Sequence, residues 1–158
     1  MIAKKILSLP KLSPLVASLK HQKKKIVFTN GTFDILHLGH VTYLEKARAH
    51  GDVLIVGVNT DRSVKSYKGP TRPINHENDR LRVLAALESV SYVVLFSDPT
   101  PLQLILKIRP DVLVKGGDWK KNQIVGAHEV EGWGGKVKRI SFVKNRSTTL
   151  VLKKLGIE

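Results

Sequence analysis

Residues 37–40 read His-Leu-Gly-His, which sets two imidazoles three positions apart across a glycine. They follow Thr29-Asn30-Gly31-Thr32-Phe33-Asp34, which leaves a short β-rich apolar run, Ile26-Val27-Phe28-Thr29. After them Val41, Leu44 and Ala47 recur at helical spacing until Gly51 stops the pattern. A strand, a glycine turn and a helix start make a seat for phosphate, because the first N–H groups of the helix are unpaired and its dipole is positive there. Imidazoles at that seat can donate hydrogen bonds to oxygens whose charge grows in a transition state. Gly31 permits a tight turn, and Gly39 lets the backbone approach a ligand closely. The same spacing admits a metal site on Asp34, His37 and His40, although no second acidic or histidine cluster stands nearby to complete it. It also admits two ordinary polar residues at a helix start, a reading the surrounding strand and glycines weaken.

Two later segments carry related chemistry. Lys115-Gly116-Gly117-Asp118-Trp119 closes an apolar run; its glycines allow backbone contact with a base or ribose. Asp118 can accept a ribose hydroxyl or help hold Mg²⁺, and Trp119 can form a lid. Arg146-Ser147-Thr148-Thr149 is a capped helix start preceded by a cation, which suits β- and γ-phosphates or serves as a plain cap. Arg80 opens a helix, where it can reach a phosphate or pair with Glu77. His21, His50, His76 and His128 stand outside any motif and read as surface or packing residues.

These groups need a frame, and the hydrophobic pattern supplies one. Buried strands are expected at 26–29, 53–58, 92–96, 112–115 and 136–140. Helices are expected between them, near 40–50, 61–67, 79–87, 102–108 and 125–131, with a last one after Ser147. Thr100-Pro101-Leu102-Gln103 reads as a capping box with proline at the first helical position. Residues 68–78 hold Gly69-Pro70 and Arg72-Pro73 and read as an open loop. Strict strand–helix alternation implies a parallel sheet covered on both faces, with ligands at the strand carboxyl ends. Residues 1–25 read as a basic extension with a short helix near 14–21, and 26–158 as the single catalytic domain.

Composition closes several routes. The 158 residues contain no cysteine, so disulfides, thiolate zinc sites and cysteine nucleophiles are excluded. No apolar run approaches the ~18 residues of a membrane helix, and the expectation is a soluble, cytoplasmic protein. The net charge of +14 is concentrated at the ends: residues 1–25 carry seven lysines and no acid. Basic ends on a balanced middle suit RNA, an anionic surface or an acidic partner. Nucleic acid is not the expected partner, since no aromatics interleave with the terminal lysines as a stacking platform would require.

His37-Leu38-Gly39-His40 resembles the His-x-Gly-His signature of the nucleotidyltransferase superfamily. Segments 29–34, 51–52, 56–61, 68–75, 115–119 and 146–149 match in order, and together they look most like the heptose 1-phosphate adenylyltransferases. The resemblance implies an α/β fold, a Rossmann-like three-layer sandwich on a five-stranded parallel sheet in the order 3-2-1-4-5, with ATP and a sugar phosphate as substrates, Mg²⁺ bound mainly through the ATP phosphates, and a homodimer. It implies His37, His40 and Lys68 as catalytic. It places the nucleotide on Thr29, Asn30, Gly31, Thr32, Phe33, Gly39, Lys115, Gly117, Asp118, Arg146, Ser147, Thr148 and Thr149. It places the sugar phosphate on Asp34, Asn59, Asp61, Lys65, Arg72 and Arg80. With no space for a sugar kinase, the expected form is a stand-alone transferase. Gly31-Thr32-Phe33-Asp34 is spelled as in glycerol-3-phosphate cytidylyltransferases, so that activity is the enzyme alternative, and a basic RNA-binding module the alternative of another class.

Overall fold

The computed structural model describes residues 1–117, 119–141 and 143–157. Six strands form one parallel sheet: β1 (Ile6–Leu7), β2 (Ile26–Gly31), β3 (Val53–Asn59), β4 (Tyr92–Phe96), β5 (Val112–Gly116) and β6 (Lys136–Ile140). Their spatial order is β1-β4-β3-β2-β5-β6. The five expected strands keep their expected order, and a sixth is added at the edge. That strand has only two residues, and Ile6 and Leu7 pair beside Val93 and Val94 of β4.

Alternate residues of each strand face opposite layers. Ile26 and Phe28 enter one core with Ile55, Val94 and Leu113, whereas Val27 enters the other with Leu54, Val56, Val93 and Val114. The first layer is covered by α1 (Leu9–His21), α5 (Leu102–Ile108) and α6 (Ala127–Gly132); the second by α2 (Leu38–Arg48) and α4 (Glu77–Ala86). Two shorter-range elements complete the functional end, α3 (Asp61–Lys68) and α7 (Thr148–Lys154). Both sides of β3 are buried along its whole length, which is why its sequence is a continuous apolar run.

Two local expectations change. Thr100-Pro101-Leu102-Gln103 does not form a capping box: Pro101 is the N-cap, α5 starts at Leu102, and the Thr100 hydroxyl accepts the Leu102 N–H at 3.4 Å. The first 25 residues are not an appendage on a separate body. α1 starts at Leu9 and buries Leu12, Val16 and Leu19 in the first core, and the Lys5 ammonium donates to the Leu87 and Val90 carbonyls. The helix–sheet core therefore includes the basic segment. Replacing fully buried Leu12 by alanine should cost about 2–5 kcal/mol in denaturant unfolding. A cost below about 1 kcal/mol would mark residues 1–25 as detachable.

Candidate functional site

The chain leaves β2 at Gly31 and enters α2 at Leu38, and β5 lies beside β2 on the other side from β3. Here the connections diverge to opposite faces, opening a crevice at the carboxyl ends of the strands. It encloses about 380 Å³, within the range of small-ligand sites.

One wall is the loop after β2. Phe33 takes a left-handed backbone (φ 49°) and lays its ring over Gly31, where a Cβ would stand 2.9 Å from the ring. The same ring leans against His40 at 5.3 Å between centroids. His37 is the N-cap of α2, and its ring stacks on that of His40 at 3.9 Å. Gly39 is required by this stack: a Cβ there would meet the His37 ring at 2.9 Å and the Arg146 carbonyl at 3.3 Å. The glycine thus serves the histidines first. The Nδ1 atoms of both rings are buried and without a hydrogen-bond partner among the described residues. Burial, with the nearby positive charge of His37 and Lys68, pushes the His40 pKa down to about 4, against the pull of a backbone hydrogen bond at Ile35. Burial also lowers His37. Both imidazoles are therefore neutral near pH 7 and wait for an anion.

The crevice also has cations in its lining. Lys68, Lys115 and Arg146 line the crevice, with Ser147 and Thr148 at the start of α7. Burial lowers the pKa of Lys115, which closes β5. Ser147 caps α7 by accepting the Leu150 N–H, so its cap role and its place at the pocket coexist. Gly116 and the half-exposed Trp119 complete this side.

The crevice brings together Asn30, Gly31, Thr32, Phe33, Asp34, His37, Gly39, His40, Lys68, Lys115, Arg146, Ser147 and Thr148. It does not bring in all expected residues. Thr29 is fully buried below it, its hydroxyl 2.7 Å from that of Tyr43. Gly117 (φ 95°) turns toward β6 and bonds the Ile140 carbonyl. Thr149 and Lys65 are exposed outside the lining. Asp118 lies outside the described residues.

Four residues expected on the sugar phosphate are committed to the scaffold. Arg80 is 2% exposed. It donates to the carbonyls of Thr32 (2.7 Å), Asn59 (2.7 Å) and Asn75 (3.0 Å) and to the Asp61 carboxylate (2.8 Å). Its ionic partner is Asp61, not Glu77, which instead accepts the Asp61 N–H. Burial alone would raise the Asp61 pKa, but hydrogen bonds from Arg80, the backbone contact at Glu77 and His76 together lower it. Asn59 turns its amide to Ser63. Arg72 donates to Asp34 at 2.9 Å, and the same carboxylate accepts the N–H groups of Ile74 and Asn75. Asp34 lines the pocket but spends its oxygens on clamping the 72–75 loop.

Two tyrosines complete the site without having been singled out by motif. Tyr43 lines the crevice and donates to the Val114 carbonyl at 3.3 Å, and burial raises its pKa to about 12. Its position three after His40 on the buried stripe of α2 was the available signal. The Tyr67 hydroxyl meets the Thr32 hydroxyl at 2.5 Å and ties the end of α3, next to Lys68, to the β2 loop. No periodicity marks it, since its ring is exposed. No group of three His, Cys, Asp or Glu able to hold a metal occurs among the described residues.

Known proteins agree with this geometry. The cytidylyltransferase-like family model matches residues 28–154. The bifunctional protein HldE of Methylobacillus flagellatus is 56% identical over 154 residues, covering 98% of this chain and 32% of that protein. HldE of Pseudomonas fluorescens is 52% identical over 150 residues, covering 95% and 32%. The chain thus spans about a third of the length of these relatives. Among solved structures, the lipopolysaccharide core biosynthesis protein of Thermoplasma volcanium has a TM-score of 0.61 at 30% identity, covering 78% of this chain and 99% of that one. Pantoate-beta-alanine ligase of Francisella tularensis, at 19% identity and TM-score 0.62 over 91% of this chain and 68% of that one, shares the fold. The crevice with its stacked histidines therefore lies in a nucleotidyltransferase domain, and the chain belongs to the cytidylyltransferase-like family.

Proposed function

We propose that this chain is an adenylyltransferase that joins ATP to D-glycero-β-D-manno-heptose 1-phosphate, giving ADP-heptose and pyrophosphate. The observation that carries the reading is the stacked, neutral His37–His40 pair in one crevice with Lys68, Lys115 and Arg146. The motif resemblance supplies the heptose, and the relative named for lipopolysaccharide core biosynthesis points the same way.

In this reading an oxygen of the sugar phosphate attacks the α-phosphorus in line. The bond to the bridging oxygen breaks, pyrophosphate leaves, and no bond to the protein forms. His37 and His40 donate to triphosphate oxygens, while Lys68, Lys115 and Arg146 offset the charge of two phosphorylated substrates. The α2 N-terminus adds its free N–H groups. Mg²⁺ bound with the triphosphate would supply charge neutralisation on its oxygens. Asp34, the carboxylate lining the described pocket, is engaged by Arg72 and the Ile74 and Asn75 N–H groups, so the ion would be held mainly by phosphate oxygens. The glycerol 3-phosphate alternative rests on Thr32, whose hydroxyl is spent on Tyr67.

Pyrophosphate release should occur with Mg²⁺, ATP and heptose 1-phosphate, and not with CTP and glycerol 3-phosphate. The reverse pattern would transfer the chain to the cytidylyltransferase branch. His40→Ala should lower turnover by about 10²–10³ while the melting temperature stays within a few degrees of the parent. Full activity would remove the histidines from the mechanism. An NMR titration of His40 gives a second check. Its pKa, about 4 in the free protein, should rise when MgATP is bound. Binding then takes up a proton at His40, and affinity strengthens as pH falls through the raised pKa of the complex toward about 4. An unchanged His40 titration would place the triphosphate elsewhere.

A further inference from the structure

A second concave surface lies at the other end of the sheet. Lys25 precedes β2 and Asp111 precedes β5, so this hollow is a full strand length, about 20 Å, from the histidine crevice. Lys20, Lys23, Lys24, Lys25 and Arg109 line it, around about 510 Å³. One carboxylate, Asp111, stands among them, and it already accepts the Ile26 N–H at 2.7 Å.

Cations at helix C-termini partly answer the helix dipole, and both α1 and α5 end here. Each end supplies about half a negative charge. With Asp111 this leaves roughly three of the five positive charges without a counter-charge. Crowding is real: burial and the neighbouring Arg109 lower the pKa of Lys20.

The backbone points to side chains that are wanted here. Lys23 (φ 55°) and Arg109 (φ 46°) both adopt the left-handed conformation just past a helix end, where glycine fits without strain. Of the remaining non-glycine residues of this kind among those described, Phe33 lines the histidine crevice, and Asn145 is of a type that tolerates this conformation. Arg109 is further fixed over the Trp133 ring at 5.1 Å, and the indole N–H is held by the Pro110 carbonyl at 3.0 Å.

We propose that this hollow is a second anion site, taking a compact ligand that carries several phosphate charges. Three uncompensated cations call for a multiply charged anion, and lysine point charges beside an arginine fork suit phosphate oxygens. A nucleic acid fits less well. The aromatic ring at the site has one face covered by Arg109 and its N–H occupied, so it gives no platform for a base. The site is independent of the transfer reaction proposed above.

The two tryptophans separate the two sites, since Trp119 lines the histidine crevice and Trp133 the basic hollow. The test follows both indole N–H signals by NMR while inorganic tripolyphosphate is added in about 150 mM KCl, where weak surface attraction is screened. The Trp133 signal should move saturably. In Lys23→Gly/Arg109→Gly, which keeps the left-handed backbone at both positions, the concentration needed should rise at least tenfold. Lys20→Gln/Lys24→Gln, which leaves the Arg109–Trp133 contact in place, should show the same loss. The Trp119 response should persist in both variants. Its absence throughout would count against the nucleotide crevice and not against this site. No Trp133 response up to about 10 mM, or the same response in both variants, would overturn the proposal. So would an RNA oligonucleotide that moves Trp133 at lower concentration than tripolyphosphate does.

Discussion

One buried guanidinium holds the functional end of this protein together. Arg80 joins the loop after β2, the end of β3, the first residue of α3 and the 75-loop through four hydrogen bonds. Its charge is answered by Asp61, and its donors occupy three backbone carbonyls that would otherwise be stranded. Arg80 is the buried member of this pair, and stranding a buried charge costs about 3–5 kcal/mol, a large share of the 5–15 kcal/mol by which domains are stable. Asp34 repeats the device in reverse, gathering Arg72 and two backbone N–H groups. Between these two clamps the segment 32–34 has little freedom, and Phe33 can be held in a strained conformation against His40.

The histidines depend on that rigidity. Burial first, and then the neighbouring charges of His37 and Lys68, disfavour an imidazolium in this stacked pair, and the depressed pKa of His40 expresses it. Oriented neutral donors do not need to reorganise when charge develops on a phosphate, which is the advantage of a preorganised site. The supporting residues carry charge too, but that charge is spent inside the scaffold, while Lys68, Lys115 and Arg146 face the crevice.

Much of this was legible in the chain. Parallel strands buried on both faces read as apolar runs, so β2 to β6 followed from pattern, and their order from the family resemblance. The pocket-facing residues of 30–40 followed from a strand, two glycines and a helix start. β1 was not legible, because two apolar residues carry no period and gain their meaning only from pairing with β4. Arg80, Arg72, Asn59 and Asp61 were read as ligand contacts because their types suit phosphate or hydroxyl groups. The fold engages all four in scaffold contacts, and the signal existed for one of them: Arg80 precedes Leu84 by four and so shares the buried stripe of α4, while Arg82 faces outward. The lysines of residues 1–25 gave their charge but not their place, since only the fold brings Arg109 beside them.

The measurement that goes most directly to the central claim is hydrogen exchange on Arg80→Lys, a variant that keeps the charge but loses the planar fork. The account predicts faster exchange, by about 10²-fold or more, at Asp61, Ile74 and Asn75, with the amides of β3 and β4 unaffected. Wild-type protection at those three amides would contradict it, for the functional end would then be held by something other than the buried guanidinium.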